Sequence, residues 1–89
     1  MGWRIEFSGA ARKALDHLDP QAATRVLRFL RDRVACADDP RVLGKPLKGS
    51  KLGDLWRYRV GDYRVIADLR DNVMTVLVVR VAHRGEAYR

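Results

Sequence analysis

Trp3-Arg4-Ile5-Glu6-Phe7 alternates apolar and polar residues, the period of a half-buried strand. Ser8 can cap the segment that follows, in which Ala11, Leu15 and Leu18 recur at helical steps of four and three. Asp19-Pro20 is a strong helix start, a capping carboxylate followed by proline at the first helical position. The second helix is predicted to run to about Cys36, with Ala23, Leu27, Leu30 and Val34 as its apolar stripe. Val26 and Phe29 widen that stripe, and Arg25, Arg28, Arg31 and Asp32 lie around the wetter side. Cys36 then reads as a small core residue. Asp38-Asp39-Pro40 ends the helix, because proline disfavours helical geometry at the residue before it. Pro40 to Gly53 reads as a loop. From Leu55 onward the period switches to two, and three strands fit: Leu55–Val60, Tyr63–Leu69 and Val73–His83. The order is β-α-α-β-β-β, an α+β fold in which a helical hairpin packs on one face of a small, mainly antiparallel sheet.

Val60-Gly61-Asp62-Tyr63 has the composition of a two-residue hairpin loop with glycine at its first central position. That loop sets Val60 opposite Tyr63, Arg59 opposite Arg64 and Arg57 opposite Ile66. Since side chains alternate across a strand, Trp56, Tyr58, Val60, Tyr63, Val65 and Ala67 share the core face, and Arg57, Arg59 and Arg64 the other. In the last strand, Leu77, Val79 and Val81 are assigned to the core, which puts Val78, Arg80, Ala82 and Arg84 outside. An odd-length loop around Arg70-Asp71-Asn72 gives that phase. An even one would turn Arg80 into the core, so the slip is heavily penalised.

A length of 89 residues allows one domain, spanning 1–89. An apolar share of 47% argues against a disordered basic tail. The longest apolar block, Val76 to Val79, is strand-sized and far short of a bilayer span, and the start of the chain has no signal-like apolar region. A cytoplasmic protein without a membrane partner is expected. Cys36 is the only cysteine, and His17 and His83 fall in different elements, so no metal-ligand constellation or cofactor motif is evident.

Charge sharpens the picture. The chain has 18 Lys+Arg against 11 Asp+Glu, a net +7, and the excess is concentrated after residue 44. Strand alternation sets Arg57, Arg59, Arg64, Arg80 and Arg84 on the sheet face that the helices leave open. Arg59 directly opposite Arg64 costs about 0.2–1 kcal/mol in like-charge repulsion, and a bound anion would offset it; Asp68 is the only carboxylate of the three strands on that face. Phosphate is the natural ligand for such a set of guanidinium groups. The alternative is five arginines splayed into solvent. Lys45, Lys48 and Lys51, spaced by three in the glycine-containing loop, could follow a nucleic-acid backbone or simply be solvated. Tyr88 could stack on a base or donate a proton. His83 neighbours Arg84 but points to the opposite face unless the strand ends or bulges there.

The segments Pro46-Leu47-Lys48-Gly49-Ser50 and Leu55 to Ile66, with the ending His83-Arg84-Gly85-Glu86-Ala87-Tyr88, resemble the RelE/ParE toxin superfamily. The resemblance implies a RelE-like fold and a toxin of a bacterial type II toxin–antitoxin system, inhibited by a cognate antitoxin that wraps around it. Operator DNA would be reached through that antitoxin. RelE-type members cut messenger RNA in the ribosomal A site; ParE-type members poison DNA gyrase; a degenerate member would only bind its antitoxin. By position, Arg64 matches the arginine that holds the scissile phosphate, Arg84 the late arginine that stabilises developing charge, and Tyr88 the terminal tyrosine that orients substrate and assists proton transfer. Arg57 and Arg59 fall where the best-known RelE has lysine, so they can grip phosphate but are poor bases. The implied reaction is attack of a ribose 2′-OH on the adjacent phosphate without a metal, the arginines neutralising the transition state. In it Arg59 joins Arg64, Arg84 and Tyr88 at the reacting phosphate, Arg57, Arg80 and the three lysines hold RNA, and His83 is a candidate for proton transfer.

Overall fold

The computed structural model describes residues 2–47 and 55–83 of the chain. Strand β1 (Arg4–Phe7) leads into helix α1 (Gly9–Asp16) and helix α2 (Pro20–Phe29). The predicted starts are those observed. The Ser8 hydroxyl accepts from Ala11 N at 3.1 Å, and the Asp19 carboxylate accepts from Gln21 N at 3.2 Å, with Pro20 opening the helix.

The second helix does not continue as an α-helix to Cys36. It ends at Phe29 and passes into a π turn over Leu30–Val34, closed by Ala35 N donating to Leu30 O at 2.8 Å. A four-residue step overshoots the 3.6-residue α-helical turn. The wider π turn takes back that drift and leaves Val26, Leu30 and Val34 all buried. Leu27, expected in the stripe, is 40% exposed. Cys36 is exposed rather than in the core, because the chain leaves the helix just after Val34 has turned inward.

The stretch predicted as loop also holds structure. Asp39 caps a 3₁₀ turn over Pro40–Leu43 through Arg41 N at 3.1 Å. Gly44 then leads into a two-residue strand β2 (Lys45–Pro46), which pairs antiparallel with strand β3 (Leu55–Val60). Strand β4 (Tyr63–Arg70) and strand β5 (Thr75–His83) complete a sheet of order β1-β5-β4-β3-β2, antiparallel except for β1 against β5. As an edge strand, β2 can accommodate Pro46.

The β3–β4 hairpin has the predicted register: Val60 opposite Tyr63, Arg59 opposite Arg64, Arg57 opposite Ile66. Gly61 takes φ +58, the positive value required at that turn position. The β4–β5 connection differs from the expected odd loop. Arg70 faces Thr75 across four intervening residues, an even count, and Val76 and Val78 enter the core in place of Leu77. A bulge then restores the phase: Ala67 faces Val78, Ile66 faces Arg80, and Val79 is the extra residue. Arg80 therefore reaches the open face and Val81 the core, as an odd loop would also have placed them.

The helices cover the face carrying Tyr58, Val60, Val65, Ala67, Leu69, Val76, Val78 and Val81, with Ile5 and Phe7 packed at its margin. No helix among the described residues is long and apolar enough to cross a membrane.

Candidate functional site

Two cross-strand rows run over the uncovered face of the sheet. Lys45, Arg57, Ile66 and Arg80 stand opposite one another across β2, β3, β4 and β5; Arg59, Arg64 and Ala82 form the next row. Directly opposite residues lie roughly 4.5–5.5 Å apart, so the pairing alone gathers the cationic groups. Lys45, Arg57, Arg59 and Arg64 line one cleft of about 320 Å³, whose remaining wall is Val42, Leu43, Gly44 and Tyr58. Among the described residues no carboxylate lines it. Asp68, the acidic residue of β4 on this face, lies toward the far end and is held by Arg70 Nε at 3.2 Å. Arg64 donates to Tyr63 O at 3.2 Å, which steadies its guanidinium at the cleft edge. Four cations and, among the described residues, no acid make a site for a multiply charged oxyanion such as a phosphodiester backbone.

The wall behind these cations is firmly built. Tyr58 is 1% exposed, sits edge-on to Phe29 at 6.0 Å between centroids, and donates its hydroxyl to Pro40 O at 2.9 Å. Burial pushes its phenol up to about 12. The neutral form is thus favoured in the folded state, and its contribution to stability is complete below pH 10 and lost as pH rises toward 12. Wild-type protein is expected to lose up to about 1.4 kcal/mol per pH unit in that window from this group. Tyr58→Phe removes this sensitivity but leaves Pro40 O without its partner, at about 1–3 kcal/mol. Denaturant melts of both proteins from pH 8 to 11.5 check this: the difference between them should narrow above pH 10, and a constant difference would contradict it.

Arg41 was not apparent from the sequence. Its guanidinium forms a fork with both carboxylate oxygens of Asp71, 3.0 Å for Nη1 to Oδ1, reaches Asp39 at 3.3 Å, and lies 5.8 Å from the Trp56 ring centroid. Its hydrogen bond holds the Asp71 carboxyl below its ordinary value. This clamp ties the 3₁₀ turn to the β4–β5 connection and so fixes the segment that delivers Lys45. Its partner is thirty residues away in sequence, and only Asp39-Pro40 gave a local signal.

Of the other residues singled out from the sequence, Arg80 is exposed on the open face in the row of Arg57. His83 pairs with Tyr63 on the helix side, their rings perpendicular at 5.4 Å, and lines a separate cleft with Ala14, His17 and Leu18. It is therefore not brought together with Arg59 and Arg64. Lys48, Lys51, Arg84 and Tyr88 lie outside the described residues.

Residues 5–88 match the family model described as the ParE toxin of the type II toxin–antitoxin system parDE. The chain belongs to this toxin family. Over its full length the toxin is 32% identical to toxin RelG of Mycobacterium tuberculosis, covering 99% of that protein. It is similar to a solved toxin–antitoxin complex, RelBE2 of the same organism, at 30% identity and TM-score 0.83, covering 94% of this chain and all of that one. The archaeal RelE–RelB complex of Pyrococcus horikoshii matches at 32% identity and TM-score 0.75, with 98% and 100% coverage. The toxin is thus a RelE-family member of a type II system, with the two-layer fold of those structures.

Proposed function

We propose that this toxin is a ribosome-dependent, metal-independent endoribonuclease that cuts messenger RNA in the cytoplasm and is silenced by a cognate antitoxin. The observation that carries the reading is the cleft, lined by no carboxylate among the described residues, in which Lys45, Arg57, Arg59 and Arg64 converge from β2, β3 and β4. Arg59 facing Arg64 is a costly pair that a bound phosphate relieves. In this reading Arg64 holds the scissile phosphate, with Arg59 beside it, while Arg57, Arg80, Lys45, Lys48 and Lys51 grip the flanking backbone. The ribose 2′-OH attacks the neighbouring phosphorus and leaves a 2′,3′-cyclic end and a 5′-hydroxyl. Guanidinium groups neutralise the charge of the transition state, and the ribosome holds the message in line. Arg84 adds a further positive charge and Tyr88 orients the substrate and assists proton transfer. His83, on the helix side, is the weaker candidate for that proton step.

The partner antitoxin is proposed from the solved relatives, which are toxin–antitoxin complexes of the RelB and RelE type. An acidic segment covering the open face would occlude the cleft, and operator DNA would be bound through the antitoxin. Inducing the toxin and mapping 5′ ends across cellular messages tests the activity. Codon-phased cuts confined to translated regions are expected. The ParE name of the family model favours a second reading, inhibition of DNA gyrase. Intact messages accompanied by gyrase-linked DNA breaks would replace the first reading with the second.

A further inference from the structure

The 3₁₀ turn and β2 supply Val42, Leu43, Gly44 and Lys45 to the cleft, yet the sheet holds little of this segment. Strand β2 pairs through Lys45 and Pro46 only, shorter than sheet strands usually are. At the other end Tyr58 donates to Pro40 O, and a single hydrogen bond fixes a point while leaving rotation about it. Between these ends the turn is bonded to itself, Val42 N to Asp39 O at 3.2 Å and Gly44 N to Arg41 O at 3.1 Å, so it moves as a unit. Arg41 gives that unit its direction. Its planar guanidinium contacts Asp71 at two points and lies 5.8 Å from the ring of Trp56, the residue opposite Pro46. Asp71 is itself held: its carbonyl accepts from Met74 N at 3.1 Å, and Met74 O accepts from Arg4 N of β1 at 2.8 Å.

We infer that Arg41 and Asp71 are a positioning pair that sets how tightly the cleft holds a single-stranded phosphate backbone, although neither side chain lines it; this rests on the reading of the cleft as a phosphodiester site. The fork holds the 3₁₀ turn against the β4–β5 connection and so keeps Lys45 in the row of Arg57. The sign of the effect separates this role from bulk electrostatics. Asp71 is an acid on a chain of net charge +7, and by charge alone its removal tightens RNA binding. Positioning requires the opposite. Without Asp71 the turn swings about Pro40, Lys45 leaves the row, and binding weakens. Arg41→Lys keeps the charge but not the two-point contact, because an ammonium has no planar fork. It weakens binding too.

A labelled 2′-O-methyl RNA octamer tests the pair, because it lacks the attacking hydroxyl and reports binding apart from any cleavage. Its affinity for full-length wild type, Asp71→Ala, Arg41→Lys and Lys45→Ala is measured by fluorescence anisotropy over a series of salt concentrations, below each melting temperature. On a single strand each cation contributes about 0.7 to the slope of log affinity against log salt, so one lost contact costs roughly fivefold at about 0.1 M. Asp71→Ala and Arg41→Lys are each expected to show that loss and that shallower slope, as Lys45→Ala does. Hydrogen exchange at the Leu47 amide, bonded to Leu55 O at 2.9 Å, should quicken in both, while the β3–β4 hairpin amides keep their rates. Tighter binding by Asp71→Ala, or wild-type affinity in both variants, would overturn the pairing and leave the cleft reading standing. Weaker binding with an unchanged slope and unchanged Leu47 exchange would overturn it as well, since no cation would have left the cleft. A wild-type toxin that does not bind the octamer would instead remove the phosphodiester reading and this role with it.

Discussion

Arg64→Ala is expected to abolish growth inhibition while leaving the folded toxin at least as stable as wild type. Arg64 is half-exposed at the mouth of the cleft, and its hydrogen bond given above is to the carbonyl of Tyr63, a neighbour in sequence. Truncating it opens no cavity in the helix-side core. It also relieves the repulsion from Arg59 across the hairpin, by about 0.2–1 kcal/mol. The effect on chemistry runs the other way. An arginine that stabilises a phosphoryl-transfer transition state is worth roughly 10³–10⁵-fold in rate, enough to take a growth-arresting toxin below its threshold. Colony counts after induction read the toxicity, and thermal melts by circular dichroism read the fold. Arg28→Ala removes the same charge from the exposed side of α2 and should leave inhibition unchanged. If Arg64→Ala stays fully toxic, or Arg28→Ala loses as much, the cleft is not the seat of the activity and bulk charge is.

That contrast depends on knowing which arginines share a face, and most of this was legible in the sequence for a local reason. The β3–β4 hairpin is specified by Gly61-Asp62 between two alternating runs, so its register and the placement of Arg57, Arg59 and Arg64 follow from neighbours in sequence. The last strand has no such signal. Val76-Leu77-Val78-Val79 is apolar throughout, and alternation cannot assign a face to a run that does not alternate. An odd loop and an even loop followed by a bulge give the same outcome for Arg80 and Val81. They differ only for residues before the bulge, which is where Leu77 and Val78 exchange roles. Lys45 was placed near the arginines only as part of a loop. Its strand is two residues long, contains a proline and pairs Lys45 with Arg57 and Pro46 with Trp56 across the intervening residues, so nothing local announces it. The Arg41–Asp71 clamp is non-local in the same way. The shared face of Arg57, Arg59 and Arg64 was therefore readable, and the wall that completes the cleft was not.

Gly44→Ala is expected to damage that wall. Gly44 has φ −131, extended backbone open to any residue, so conformation does not require glycine there. Space does. A Cβ at this position would lie 2.7 Å from Arg57 O and 2.9 Å from Tyr58 Cε1. Neither neighbour can yield cheaply. Arg57 is held in the sheet between β2 and β4, and Tyr58 is packed and anchored to Pro40 O. The strain falls on β2, which must lift from β3 at a cost of about 1–3 kcal/mol. For a chain of this size each kcal/mol lowers the melting temperature by about 4–8 °C. Lifting β2 also carries Lys45 away from Arg57, so growth inhibition should fall further than the lost stability explains. Gly9→Ala is the matched control: nothing lies within 4 Å of the added methyl, and alanine favours the helix by about 0.5–1 kcal/mol. Thermal melts of both variants, with toxicity measured below the lower melting temperature, separate the two effects. A Gly44→Ala protein that melts like wild type would mean β2 does not need to sit this close to β3, and the cleft would lose the wall that positions Lys45.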